Sequence, residues 1–253
     1  MLTSIAAFAE LPVFDLVLCM AAVFVAGLVR GFAGFGLSAI LMASIVLILP
    51  PIQLIPICYV LESAASLAMF RGGIRDADMR IVWLLVVGSA IGVPLGLWAT
   101  TTVPVDVSRK VALVLILVLT ILQFFKIAPK NLGRTSGPAV TGVVAGIATG
   151  LASVGGMVVA LYVLASDVPA RVMRASLVMY LFTGMFTSAI FLYLYDVMTM
   201  EALKRGAVLA PAVLAGVFLG SFLFRPSLAP YYKAVCLALL GTLSLSGLAR
   251  LAF

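Results

Sequence analysis

The sequence predicts an all-α polytopic membrane protein of two inverted five-segment repeats, each starting with a glycine-broken helical hairpin, with 8–10 transmembrane segments. Three observations carry that prediction. The 253 residues are 64% hydrophobic and 10% charged, with a mean hydropathy of +1.29. A soluble domain holds roughly 45–50% apolar and about 25% charged residues, so this surface belongs in lipid. The apolar residues fall into ten segments, and the glycine pattern of the first five recurs in the last five.

The segments run over about 13–29, 32–49, 52–70, 81–100, 111–125, 139–149, 151–165, 175–195, 207–224 and 234–248. At these lengths only helices satisfy their own backbone in lipid, and the period-2 alternation of a membrane barrel is absent. Segments one and two are parted by Arg30 and the run Gly31-Phe32-Ala33-Gly34-Phe35-Gly36. Segment three carries Glu62 and gives way to the charged stretch from Arg71 to Arg80, read here as a solvated loop. Pro104 marks the turn before segment five. Segments six and seven are parted by Gly150-Leu151-Ala152-Ser153-Val154-Gly155-Gly156, and Pro226 and Pro230 mark the turn before segment ten. Glycine clusters weaken a helix by about 1 kcal/mol per residue against Ala, so both runs read as breaks.

The two breaks superimpose. A shift of 119 residues sets Gly27 on Gly146, Gly31 on Gly150, Ala33 on Ala152, Gly36 on Gly155 and Pro50 on Pro169. A shift of 124 then sets Gly92 on Gly216 and Gly96 on Gly220. The repeats are therefore placed at about 13–127 and 138–251, in one transmembrane domain over 1–253. If each break turns the chain back, eleven of the 16 basic residues, Arg30 among them, fall on one side of the membrane. The positive-inside rule favours that arrangement, which makes the two halves opposite in orientation. The charge count fits ten spans, and it fits equally six spans plus two re-entrant hairpins. The 139–149 arm, at 1.5 Å per residue, is about 17 Å long against a hydrocarbon core near 30 Å.

Composition also excludes chemistry. With no histidine, a His-ligated haem, a His-based zinc site and any Ser–His or Cys–His dyad are impossible. Cys19, Cys58 and Cys236 sit inside apolar runs and read as small buried hydrophobes. The charge of +7 reads as membrane topology rather than nucleic-acid binding. Glu10 and Asp15 ahead of the first apolar run argue against a cleaved signal peptide. No cofactor is expected, nothing resembles a nucleotide-binding loop, and the absence of a Gly-x-Gly-Asp run speaks against an intramembrane aspartyl protease. The expected partners are the lipid bilayer and a small anionic substrate, and a homo-oligomer is compatible with lateral helix faces.

A helix starting inside the membrane exposes unpaired N–H groups and the positive end of its dipole. Glycines let an anion approach those groups. Gly31, Gly34, Phe35 and Gly36 in the first break, and Gly150, Ser153, Gly155 and Gly156 in the second, are thus candidate substrate-binding positions. The competing reading is tight helix packing, favoured for Gly92/Gly96 and Gly216/Gly220. Arg30 is either an anion clamp or a flanking cation that snorkels outward. Glu62 stands deep in an apolar segment, where an ionised carboxylate costs several kcal/mol unless paired, protonated or wetted. It is either the coupling-proton site or a structural partner for Arg30, Tyr59 or a helix end; its counterpart in the second half is Leu181. Ser63, Ser66, Ser153, Thr183 and Thr187 either line a polar path or bond their own helix backbone.

The doubled glycine break, the trailing Pro50 and Pro169, and the later Gly-x-x-x-Gly helix in each half resemble the sulfite exporter TauE/SafE family, from about Leu16 to Leu248. The resemblance implies a secondary transporter, an exporter of sulfite, sulfonates or other small organosulfur anions in a bacterial inner membrane; two inverted halves add the expectation of alternating access. Phe32, Ala33 and Phe35 between the glycines depart from the family's usual run, and the two Phe side chains narrow the site or favour a ligand with an apolar part. Export of an anion runs down an inside-negative potential by about 2.3 kcal/mol per charge per 100 mV. A proton-coupled importer of another organic anion and a non-transporting membrane subunit are the alternatives.

Overall fold

The computed structural model describes residues 8–10, 12–127, 137–165, 169–223 and 229–252. Ten helices follow one another there: α1 Val13–Ala33, α2 Leu37–Ile45, α3 Pro51–Asp76, α4 Met79–Thr102, α5 Val105–Phe124, α6 Gly137–Ala152, α7 Gly155–Ala165, α8 Ala170–Leu194, α9 Met200–Leu223 and α10 Ala229–Ala252. Six of them, α1, α3, α4, α8, α9 and α10, are long and apolar enough to cross a membrane. Pro226, expected to mark the turn before segment ten, lies outside the described residues.

Local chemistry sets the helix starts. Pro12, Pro50, Pro104 and Pro169 precede α1, α3, α5 and α8, their lack of an N–H costing nothing where no intrahelical acceptor exists. Asp78 caps α4 through its carboxylate, which accepts from the N–H of Arg80 at 3.0 Å and of Ile81 at 3.2 Å. The charged stretch read as a loop is largely helix, since α3 continues to Asp76 and only Ala77 and Asp78 turn. Arg is a good helix former once past the apolar zone, and Asp76 is pinned from α8 by Arg171 at 2.8 Å.

The first break is shorter than the glycine run suggests and falls later. α1 runs through Arg30 and Gly31 to Ala33, so Arg30 is not a loop residue. Gly34 then turns left-handed at φ 82°, its N–H donating to Arg30 O at 2.9 Å, and Gly36 turns again at φ 96° before α2. The second break opens in the same way, except that Ser153 takes the left-handed turn at φ 58°. A non-glycine residue there is uncommon.

Packing explains the glycines of the Gly-x-x-x-Gly helices. α4 lies along α6, α9 lies along α1, α3 faces α8, and α5 faces α10. A Cβ on Gly92 would meet the Val143 carbonyl oxygen and come within 2.8 Å of Ile147 N. A Cβ on Gly216 would likewise meet Phe24 O and lie 2.8 Å from Leu28 N. Both Gly-x-x-x-Gly helices therefore use the missing Cβ for backbone-to-backbone approach, as expected of small-residue interfaces in lipid. The opposite face of α4 turns outward: Trp83, Val87, Ile91, Leu95 and Trp98 are 54–61% exposed at near-helical spacing. In water such a stripe would be a liability; in lipid it is the solvated surface.

The two short helices occupy the interior. From Leu37 to Ala43 every residue of α2 is buried, as is α7 from Gly155 to Val163. Their sequences, LSAILMASI and GGMVVALYVLA, offer no polar face, so burial on all sides is their only stable placement. At nine and eleven residues, each is too short to span a core near 30 Å at 1.5 Å per residue.

Candidate functional site

The first break is tied to α3 by an internal ion pair. Arg30, fully buried, donates from Nε to Glu62 Oε2 at 3.0 Å, from Nη2 to Ser66 Oγ at 3.1 Å, and from Nη1 to the Gly34 carbonyl. Glu62 also accepts from Ser38, at 2.9 Å from the hydroxyl and 3.3 Å from the backbone N–H. Ser38 is the second residue of α2. The carboxylate thus occupies the place where a helix start attracts an anion. One residue satisfies a buried guanidinium and an orphan helix terminus together, which compensates a charge that would be costly alone. Of the two readings of Glu62, this geometry realises the partner of Arg30 and of a helix end.

Further ties fix the end of α1. Arg174 on α8 and Ser221 on α9 both donate to the Gly31 carbonyl, the latter at 3.2 Å. Gly31 sits against α9, where a Cβ would lie 2.8 Å from Ser221 N.

The second break has no such carboxylate. Leu181 stands there, and its methyl carbons would lie 3.6 and 3.7 Å from a Cβ placed on Gly156. Val154 N–H reaches back to Ala148 O at 3.3 Å and Met157 N–H to Val154 O at 2.9 Å. Among the described residues no backbone acceptor meets the N–H groups of Gly155 and Gly156. Gln123 on α5 steadies α7 by donating from Nε2 to Met157 O at 3.2 Å.

A cavity of about 70 Å³ lies between the breaks. A single water needs about 10–15 Å³ on this measure, so there is room for one small polyatomic ion or several waters. Of the predicted site residues, Gly36, Glu62, Gly150, Ser153, Gly155 and Gly156 line it. Arg30, Gly31, Gly34 and Phe35 are not among its lining residues. Arg30 supports the wall from behind, and Phe35 packs beside Gly156 with its Cβ 3.7 Å from a Cβ built there. Ser63 lines the cavity with a buried hydroxyl that has no hydrogen-bond partner among the described residues. Thr183 and Thr187 instead donate within their own helix, to Met179 O at 2.6 Å and Gly184 O at 2.9 Å.

Sequence reasoning missed Tyr180, Gly184, Ser188, Ser89 and Ser38. Tyr180 donates to Ser89 Oγ at 3.2 Å, linking α8 to α4 at the cavity wall. Gly184 has nothing within 4 Å of where its Cβ would be, so it opens into free space. A signal was available: Tyr180, Gly184 and Ser188 recur every four residues, and Tyr59, Glu62, Ser63 and Ser66 form a polar stripe on α3.

A family model described as Sulfite exporter TauE/SafE matches residues 19–247, nearly the whole chain. The chain belongs to this family. No curated protein and no solved structure matches it. As a TauE/SafE member it falls in a family of membrane transporters, and its six long apolar helices are those of a membrane-spanning polytopic protein.

Proposed function

We propose that the protein is a secondary carrier of small oxyanions such as sulfite or organosulfonates, exporting them across a bacterial inner membrane by alternating access. The observation that carries this reading is the start of α7, whose Gly155 and Gly156 N–H groups meet no backbone acceptor among the described residues and stand at the wall of the cavity. Helix-start N–H groups favour negative charge, and the hydroxyls of Ser63 and Ser153 line the same space. The substrate head group would sit against Gly150, Ser153, Gly155 and Gly156, opposite Gly36.

Two inverted halves, 13–127 and 138–251, are the frame for that cycle. The matched breaks support it, and so does the reciprocal packing of α4 on α6 and α9 on α1, which is unchanged when the halves are exchanged. The cavity lies where the halves meet, the usual place for substrate in carriers built from repeats. For Glu62 to carry a coupling proton, it must release Arg30 and Ser38 during part of the cycle.

The test is flux of radiolabelled sulfite from proteoliposomes, with taurine-like sulfonates and acetate as competitors, with and without a pH gradient. Saturable efflux blocked by the sulfonates is expected. Efflux no greater than from empty liposomes would refute the reading. Loss of the pH-gradient response in Glu62→Gln, with efflux retained, would assign the proton to Glu62.

A further inference from the structure

We infer that the cavity accepts one singly charged anion and turns away doubly charged ones, and that Glu62 sets this limit. The inference rests on the transport reading of the cavity and concerns the charge of its ligand.

Among the described residues lining the cavity, Glu62 alone carries a formal charge, and that charge is negative. No Lys or Arg is among those described lining residues. The nearest compensating cation, Arg30, has no exposed side chain and gives its donors to Glu62, Gly34 and Ser66. The Arg30–Glu62 pair is neutral as a unit, but its carboxylate end is the one at the cavity, with 16% of the Glu62 side chain exposed. An incoming anion is therefore held by neutral donors, N–H groups and hydroxyls, while facing a carboxylate. Such donors can offset the desolvation of one charge; a second charge brings added repulsion and no added cation.

The pseudo-equivalence of the breaks sharpens the limit. Glu62 fills the helix-start position on α2, and its counterpart Leu181 leaves the α7 start without an anion. The protein thus supplies one carboxylate of its own, and the ligand supplies the other negative group. A monoanion reproduces at α7 the single charge that Glu62 supplies at α2.

Sulfate and methanesulfonate provide a matched pair, since both are tetrahedral and of similar size, and they differ by one charge at all working pH values. Proteoliposomes loaded with radiolabelled methanesulfonate would be challenged with each unlabelled ion at fixed pH and high ionic strength. Unlabelled methanesulfonate should compete at least about tenfold better than sulfate, the scale set by one additional unit charge about 5 Å from Glu62 at a protein's effective dielectric, with Arg30 about 4 Å farther off cancelling part of it. Sulfate competing within twofold of methanesulfonate would overturn the charge limit while leaving the carrier reading intact. No saturable methanesulfonate flux at all would overturn the carrier reading, and the inference with it. Glu62→Gln should narrow the preference at least fivefold; because that change strands Arg30, the paired variant Arg30→Met/Glu62→Leu, which removes both charges, is measured beside it. A preference unchanged in both variants would take the limit away from Glu62.

Discussion

Gly184 and Gly92 are both glycines inside long helices, and the structure assigns them opposite responses to the same substitution. A Cβ on Gly184 meets nothing within 4 Å, and the residue lines the cavity. Replacing it with Ala removes the helix-interior penalty of glycine, about 0.8–1.0 kcal/mol, at no steric cost. Gly184→Ala should therefore unfold at an equal or higher temperature than the wild type. Gly184→Leu should keep the folded yield while projecting a side chain into the cavity that Gly184 lines, and so abolish flux. On Gly92 the same methyl would run into the Val143 carbonyl and approach Gly146 Cα at 3.0 Å, with backbone on every side. That overpacking outweighs the propensity gain, and Gly92→Ala should lose about 1–3 kcal/mol. The assays are thermal unfolding in detergent and anion efflux from proteoliposomes, run on all three variants. Wild-type efflux from well-folded Gly184→Leu would refute the claim that substrate passes through this cavity. A Gly92→Ala protein as stable as wild type would refute the packing argument.

Three further outcomes follow from the same geometry. Arg30→Met and Glu62→Gln should each destabilise by about 3–5 kcal/mol by stranding the other charge, whereas Arg30→Met/Glu62→Leu should recover at least half of that loss; additive losses in chemical denaturation would show that the pair is not coupled. Leu181→Glu should place a carboxylate at the α7 start, as Glu62 does at α2, and suppress efflux at least tenfold without loss of folded yield; undiminished efflux would remove the anion from that helix start. With each break turning the chain back, a cysteine at 106 should take up a membrane-impermeant label from outside the cell and cysteines at 75 and 126 only from the cytoplasm, and the reverse labelling would overturn the inverted orientation.

Much of this was determined by the sequence alone. Membrane residence follows from composition, because 10% charged residues cannot clothe a water-facing surface. The two breaks follow from glycine clustering and from the match of Gly31 and Gly36 to Gly150 and Gly155. The packing role of Gly92, Gly96, Gly216 and Gly220 was legible in their four-residue spacing, since such a stripe marks one helix face. The helical continuation of α3 through Arg71 and Arg75 was not legible, because charge in sequence marks the edge of the apolar zone and not the end of a helix.

Only the tertiary structure decided what the charged residues do. Arg30 and Glu62 lie 32 positions apart, and no periodicity reveals that one is spent on the other. Whether a helix start is open depends on what the rest of the chain brings to it. At α2 the chain brings a carboxylate and at α7 a leucine, so two starts that look alike in sequence differ in the one property that matters to an anion. Gly184 makes the same point sterically. An absent side chain has meaning only through its neighbours, and here long-range packing left that place empty.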